Sequence, residues 1–296
     1  MKSLIQALAG SGPVLTDGAW GTELQSMGLV PGELADGWNL SHPERVAAVA
    51  KSYVEAGSAV ILTNTFRANR VALRHHESRG MVRELNRAGV EISRSAAGKH
   101  ARVFASMGPS GKLLAAEEIT VQELQEAFAE QANALAECGP DALVIETMSD
   151  LEEAGIALGA AKATGLPVVV CMVFDSGKNH DRTLTGVTVE RAAQELSAGG
   201  ADVVGANCGK GIDAFIEICR RLHASTDRPV WIKPNAGLPR VAGEAVVYDM
   251  TPSGFAGHVP PLVSAGATFV GGCCGTTPQF IRAMSQQLRS LPVGTS

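Results

Sequence analysis

The sequence predicts a single-domain (β/α)8 barrel, of the TIM-barrel class, spanning residues 1–296. Three observations predict it. Eight short runs rich in aliphatic and β-branched residues recur along the chain, with room between successive runs for a crossover helix. The runs are apolar nearly throughout rather than alternating, as parallel strands covered on both faces must be. The segments between them carry apolar stripes at helical spacing. A doubly wound open sheet is the rival architecture. Against it, no Gly-x-Gly-x-x-Gly opens a helix after the first run and no Walker loop occurs. No linker, low-complexity segment or short repeat divides the chain.

Taken in order, the expected strands are Pro13–Asp17, Ala59–Thr65, Arg102–Met107, Asp141–Glu146, Pro167–Phe174, Asp202–Asn207, Pro229–Lys233 and Ala267–Gly271. Between the first two, Ser41-His-Pro-Glu44 reads as a capping box, with Ser41 as N-cap and Glu44 reaching back. Between the third and fourth, Leu124, Phe128, Leu135 and Cys138 share one stripe, which Gly139-Pro140 ends. After the sixth, Ile212, Phe215, Ile216, Cys219 and Leu222 make another.

Composition fits this class. With 45% hydrophobic and 19% charged residues the chain is not disordered. At 296 residues it can bury roughly three quarters of its unfolded surface without disulfide staples. A net charge of −5 points away from nucleic acid and from anionic membrane surfaces. The longest apolar stretch, Leu166 to Phe174, is nine residues, against about 20 for a membrane span. The N-terminus has one Lys and then a short run broken by Gln6, so no signal peptide is read and a soluble cytoplasmic protein is expected. Six cysteines are too sparse for a secreted disulfide framework.

In a barrel of this kind chemistry collects where strands end and βα loops begin. The residues just past the runs are Asp17, Asn64-Thr65, Gly108-Pro109, Glu146, Asp175, Asn207-Cys208, Asn235 and Cys273-Cys274. A surface chosen for solubility would be rich in Lys and Glu; this ring holds carboxylates, amides and three thiols instead. Cys138 and Cys219 sit on helix stripes and Cys171 inside a strand, where a cysteine is a small buried hydrophobe. Cys208 follows the sixth strand in Gly205-Ala-Asn-Cys-Gly209, and Cys273 and Cys274 follow the eighth in Gly271-Gly-Cys-Cys-Gly275. These strands are two apart round a closed barrel, so both loops can lean over one point. Three thiols there suit Zn2+ with one open position. Three unligated thiols, or a Cys273–Cys274 disulfide, are the alternatives. A zinc centre with three thiolates carries a charge of −1. It is a poor Lewis acid for hydrolysis and suits binding a substrate thiol, removing its proton and keeping the sulfur electron-rich. The reaction expected is attack of that thiolate on an activated methyl carbon, with no further catalytic residue required.

The segments Asp17-Gly-Ala-Trp-Gly-Thr22, Thr63-Asn-Thr-Phe-Arg-Ala-Asn69, Gly108-Pro-Ser-Gly111, Glu146-Thr-Met148, Asn207-Cys208, Lys233-Pro-Asn-Ala-Gly237 and Gly271-Gly-Cys-Cys-Gly-Thr-Thr-Pro278 resemble the zinc-dependent homocysteine S-methyltransferase family. The likeness runs from about residue 12 to 285 and is nearest to the homocysteine domain of cobalamin-dependent methionine synthase. It implies zinc on Cys208, Cys273 and Cys274, with the sulfur of L-homocysteine as fourth ligand and methionine as product. It also implies that the amino acid end of the substrate lies near the first and fourth strands, where Asp17 and Glu146 match the family. A carboxylate such as Glu146 suits the ammonium, and backbone N–H groups around Gly18 suit the carboxylate. Asn207 and Asn235 contact substrate or orient loops.

The methyl donor stays open at this stage. No Asp-x-His-x-x-Gly, the corrinoid-ligating motif, occurs, so a corrinoid donor is expected on a separate protein. A small onium donor, a betaine or S-methylmethionine, is the other expectation, with Trp20 and Trp38 as aromatic faces for its cation. Two further readings stand beside methionine formation: demethylation of another compound with homocysteine or a different thiol as acceptor, and a non-catalytic zinc barrel that docks a corrinoid protein. The sequence leaves open whether the barrel works as a homo-oligomer and whether the Asp175–Thr188 loop covers the site.

Overall fold

The computed structural model describes residues 3–30, 32–242 and 245–291. Eight strands form one parallel sheet: β1 (Val14–Leu15), β2 (Val60–Ile61), β3 (Arg102–Met107), β4 (Ala142–Met148), β5 (Val168–Met172), β6 (Val203–Cys208), β7 (Val230–Pro234) and β10 (Ala267–Val270). Their order is β1-β10-β7-β6-β5-β4-β3-β2, and every neighbouring pair is parallel. The ends of that order meet as well. Ala59 N–H donates to Leu15 O at 2.8 Å, and Leu62 N–H donates to the Asp17 carboxylate at 2.7 Å. The sheet is therefore a nearly closed barrel with helices around it, and all eight expected strands are present.

The apolar runs have a direct cause. Alternate residues of each strand point inward and outward, and both sides are covered. Val60, Leu62, Phe104, Ala142, Val144, Val169, Cys171, Val203, Trp231 and Phe269 fill the interior, with Ile5 of the first helix, Leu4–Ala9, against them. Trp231 stacks between Phe104 and Phe269, with ring centroids 6.0 and 5.1 Å away. Their outward neighbours, such as Leu143, Ile145, Val168 and Val170, pack beneath the helices.

The helical stripes behave as expected, with differences at the ends. Helix Val121–Ala136 starts with a capping box between Thr120 and Glu123, and Cys138 lies beyond its end, half-buried. Helix Ile212–Ser225 buries Ile212, Phe215, Cys219 and Leu222. The Ser41 capping box does not form. Ser41 ends a preceding one-turn helix, Trp38–Ser41, and its hydroxyl bonds back to Gly37 O and to His42 Nδ1. Pro43 opens the next helix, Pro43–Ala56, behind His42; a proline needs no capping acceptor for its missing N–H. An antiparallel hairpin, β8 (Arg240–Ala242) with β9 (Ala245–Val247), was not expected and lies in the connection after β7. Among the described residues, no helix is long and apolar enough to cross a membrane.

Candidate metal centre and substrate pocket

The three expected thiols converge. Their sulfurs lie within 4.8 Å of one another, the only such group of potential metal ligands among the described residues. Cys208 Sγ and Cys273 Sγ are 3.1 Å apart. Tetrahedral ligands about 2.3 Å from a zinc ion stand about 3.8 Å from one another, so the cluster needs only small adjustments to hold one. All three are partly buried.

Local backbone makes this possible. Cys208 is the last residue of β6 and has φ 61°, a left-handed conformation rare outside glycine. At the other loop, a Cβ on Gly271 would sit 2.0 Å from Thr16 Oγ1, and Gly275 combines φ 80° with the Tyr248 ring 2.3 Å from where its Cβ would be. Only glycine allows the chain to turn this tightly beneath Tyr248. The segment Pro234–Ala236 joins the two loops. Cys273 N–H donates to Pro234 O, Asn235 N–H to Cys208 O, and Ala236 N–H to Cys274 O, at 2.8 to 3.0 Å. The Asn235 side chain repeats the pattern: Nδ2 donates to Gly209 O at 2.7 Å, and Oδ1 accepts from Cys274 N–H at 3.0 Å.

Asn207 is fully buried, and its amide is occupied by Thr147 and by the sulfurs. Both asparagines thus orient the loops that carry the thiols.

Crowding three sulfurs shapes their ionisation. Hydrogen bonds from Cys208 and then Cys273 push Cys274 down to about 3, while hydrogen bonds to Cys273 and then Cys274, together with burial, push Cys208 well up. A divalent cation would take the place of the shared protons.

Beside the sulfurs lies a buried charge group. Asp17 is inaccessible; its Oδ1 meets Lys233 Nζ at 2.5 Å, and its Oδ2 accepts from Trp20 Nε1 and Leu62 N–H, both at 2.7 Å. Three protein donors thus hold Asp17 in place, two on Oδ2 and one on Oδ1. Glu146 differs. Ser106 Oγ donates to its Oε1 at 2.5 Å, and among the described residues no hydrogen bond reaches its Oε2. Burial pushes Glu146 up to about 7, opposed by Lys233 and by the Ser106 bond. Burial disfavours the Lys233 ammonium, yet Asp17 and Glu146 outweigh it and hold its pKa above the ordinary lysine value. Gly18 is packed against the Tyr53 hydroxyl, which donates to Ala19 O at 2.8 Å.

The two tryptophans part company. Trp20 is half-buried and bonded to Asp17. Trp38 is 2% exposed, with Arg45 over its ring at 5.0 Å, His42 beside it, and its Nε1 bonded to Glu33. Its ring already carries a cation.

The Asp175–Thr188 loop is tied down by backbone pairing of Arg182 with Ser176 and Thr188. Arg221 fastens it further, reaching Asp181 at 2.7 Å and Glu190 at 2.6 Å. His180 is exposed and meets Lys210 at 2.7 Å.

Sequence reasoning missed Lys233, Ser106 and Thr147 as parts of the site. Lys233 had a signal: it is the one charged residue of an otherwise apolar run.

Comparison with known proteins gives a consistent picture. The family model described as homocysteine S-methyltransferase matches residues 14–288. Methionine synthase from Mycobacterium leprae (strain TN) is 30% identical over 298 residues, covering 94% of this chain and 24% of that protein. Methionine synthase from Mycobacterium tuberculosis (strain ATCC 25618 / H37Rv) is 29% identical, covering 93% and 24%. The chain thus spans about a quarter of the length of these relatives. The metallated form of the homocysteine methyltransferase MmuM from Escherichia coli superposes with a TM-score of 0.80 at 22% identity, over 96% of this chain and 99% of that one, which shows a shared fold.

Proposed function

The chain belongs to the homocysteine S-methyltransferase family, and from that premise we propose that it transfers a methyl group to the thiol of L-homocysteine, forming methionine, at a zinc site made by Cys208, Cys273 and Cys274. The observation that carries this reading is the convergence of three sulfurs from β6 and from the loop after β10 within 4.8 Å of one another. When bound there, zinc would lower the pKa of the substrate thiol so that the sulfur is an anion at neutral pH. The sulfur attacks the methyl carbon, the new S–C bond forms, and the electron pair of the broken bond leaves with the donor.

The protein's own groups position the amino acid. Ser106 fixes one oxygen of Glu146, leaving the other for the substrate ammonium. Lys233 opposes the protonation that burial favours at Glu146, and Asp17 holds Lys233 in place. Backbone N–H groups around Gly18 are assigned to the substrate carboxylate. No side-chain base is needed.

Glu146 gives a pH prediction. Its pKa is raised to about 7, so it takes a proton as pH falls through 7 and releases the ammonium. The KM for homocysteine is expected to rise as pH is lowered from 8 to 6. In Glu146→Gln the KM is expected to be at least about tenfold higher and flat across that range, since the ion pair is gone. Steady-state kinetics at fixed donor concentration checks both.

Removal of the metal has a chemical consequence. With sulfurs 3.1 Å apart, Cys208 and Cys273 are expected to close a disulfide when metal-free protein meets diamide, which is reduced as the two thiols lose their hydrogens. Peptide mapping should find that link in the stripped protein and not in the zinc-loaded one.

The test of the function is a donor screen with zinc-loaded protein and homocysteine, scored by methionine. It includes glycine betaine, S-methylmethionine and a methylated corrinoid protein. Methionine from any of them supports the reading, and the productive donor assigns the donor class. Methyl transfer only to another thiol would assign a different acceptor. No turnover, with metal bound at the three cysteines, would leave a binding barrel.

A further inference from the structure

The residue before Cys208 and the residue after Glu146 form an unusual pair. Thr147 lies in β4 where its register with β5 shifts, and it has φ 63°, which a β-branched residue rarely adopts. Its N–H donates to Asn207 Oδ1 at 2.8 Å. That donor fixes the amide orientation, because only the oxygen can accept it. Asn207 Nδ2 therefore faces the other way. One of its hydrogens goes to Thr147 Oγ1 at 2.7 Å, and the other is shared between Cys208 Sγ at 3.5 Å and Cys273 Sγ at 3.9 Å. Since Thr147 Oγ1 accepts from Asn207, its own hydrogen is free, and Cys208 Sγ stands 3.7 Å away. Cys274 receives no bond from this pair.

We propose that Asn207 and Thr147 are positioning residues for the metal, whose amide and hydroxyl hydrogens fix Cys208 and Cys273 and draw charge off those two sulfurs. This rests on the metal reading of the cluster. A buried amide with every hydrogen committed would be out of place beside inert thiols. Beside metal-bound thiolates it lowers the negative charge that three sulfurs concentrate, and it holds two of them where the ion is taken up. The backbone strain at Thr147 is explained in the same way: the left-handed turn brings both its N–H and its hydroxyl to Asn207.

Cobalt substitution tests the claim independently of turnover. The full-length protein loaded with Co2+ should show a thiolate-to-cobalt charge-transfer band. Removing hydrogens from sulfur raises the energy of its lone pairs, so the band moves to longer wavelength. Thr147→Val, which loses only the hydroxyl, should red-shift it. Asn207→Ala should red-shift it further and weaken zinc retention against a chelator by at least about tenfold. Thr147→Ser should match wild type in both. The proposal is overturned if Asn207→Ala folds with an unchanged melting temperature, band and zinc affinity. Should that variant fail to fold, an unmoved band in Thr147→Val overturns it equally. A wild-type protein with no charge-transfer band would remove the metal centre itself; a wild-type band that the variants leave in place removes only this inference.

Discussion

Serine at Cys208, Cys273 or Cys274, introduced singly, is expected to abolish methyl transfer and lower zinc affinity by at least about a hundredfold. Structural zinc sites bind with on the order of 10 kcal/mol, divided among their ligands, which sets the scale for losing one thiolate. A serine hydroxyl stays protonated at neutral pH and is a harder donor, so each change removes a ligand and a negative charge together. Cys138→Ser, at a half-buried position outside the cluster, should retain both properties. Cys219→Ser should also retain them at some cost in stability, because Cys219 is fully buried in the outer core with its thiol facing Leu262 O. Metal analysis and activity on the same preparations check the contrast. Equal losses in all five variants would show a general sensitivity to thiol replacement rather than a site.

Lys233→Met is expected to have the second largest effect, on stability and on substrate binding at once. The substitution keeps an unbranched side chain one atom shorter and removes the charge. Asp17 is then left inaccessible with two N–H donors and no cation, and Glu146 loses the ammonium that opposes its burial. Breaking a buried pair from one side costs about 3–5 kcal/mol. For a protein of this size each kcal/mol lowers the melting temperature by roughly 2–4 °C. The KM for homocysteine should rise as well, because a neutral Glu146 has nothing to hold the ammonium. The double change Asp17→Asn with Lys233→Met should recover part of the stability, since no charge is then stranded. It should recover little of the binding, because the cation beside Glu146 is still missing. A single variant that unfolds no earlier than wild type would contradict the role given to the pair.

Much of this was legible in the sequence, for reasons that differ by residue. The eight strands could be read because a parallel strand covered on both faces must be apolar at nearly every position, and helices of the outer layer need only one stripe. The three thiols stood out because Cys208, Cys273 and Cys274 sit in glycine-rich breaks past strand ends, whereas Cys171 and Cys219 sit within apolar patterns. What stayed hidden depends on contacts between distant segments. Nothing local to Asp17 reveals that Lys233, 216 residues away, pairs with it. Trp38 looked available because Arg45, which covers it, follows one helix later. Ser41 failed as a cap because Pro43 can start a helix unaided and a short preceding turn claimed the hydroxyl. The attachment of Asn207 to Thr147 has no signal in the sequence, since it depends on a left-handed residue near the end of β4.

X-ray absorption at the zinc edge, with and without homocysteine, examines the core of this account most directly. Three protein sulfurs with one vacant corner predict a shell of three sulfurs and a lighter atom in the resting protein, becoming four sulfurs when the substrate thiol arrives. A shell that already holds four sulfurs at rest, or one that homocysteine leaves unchanged, would contradict it.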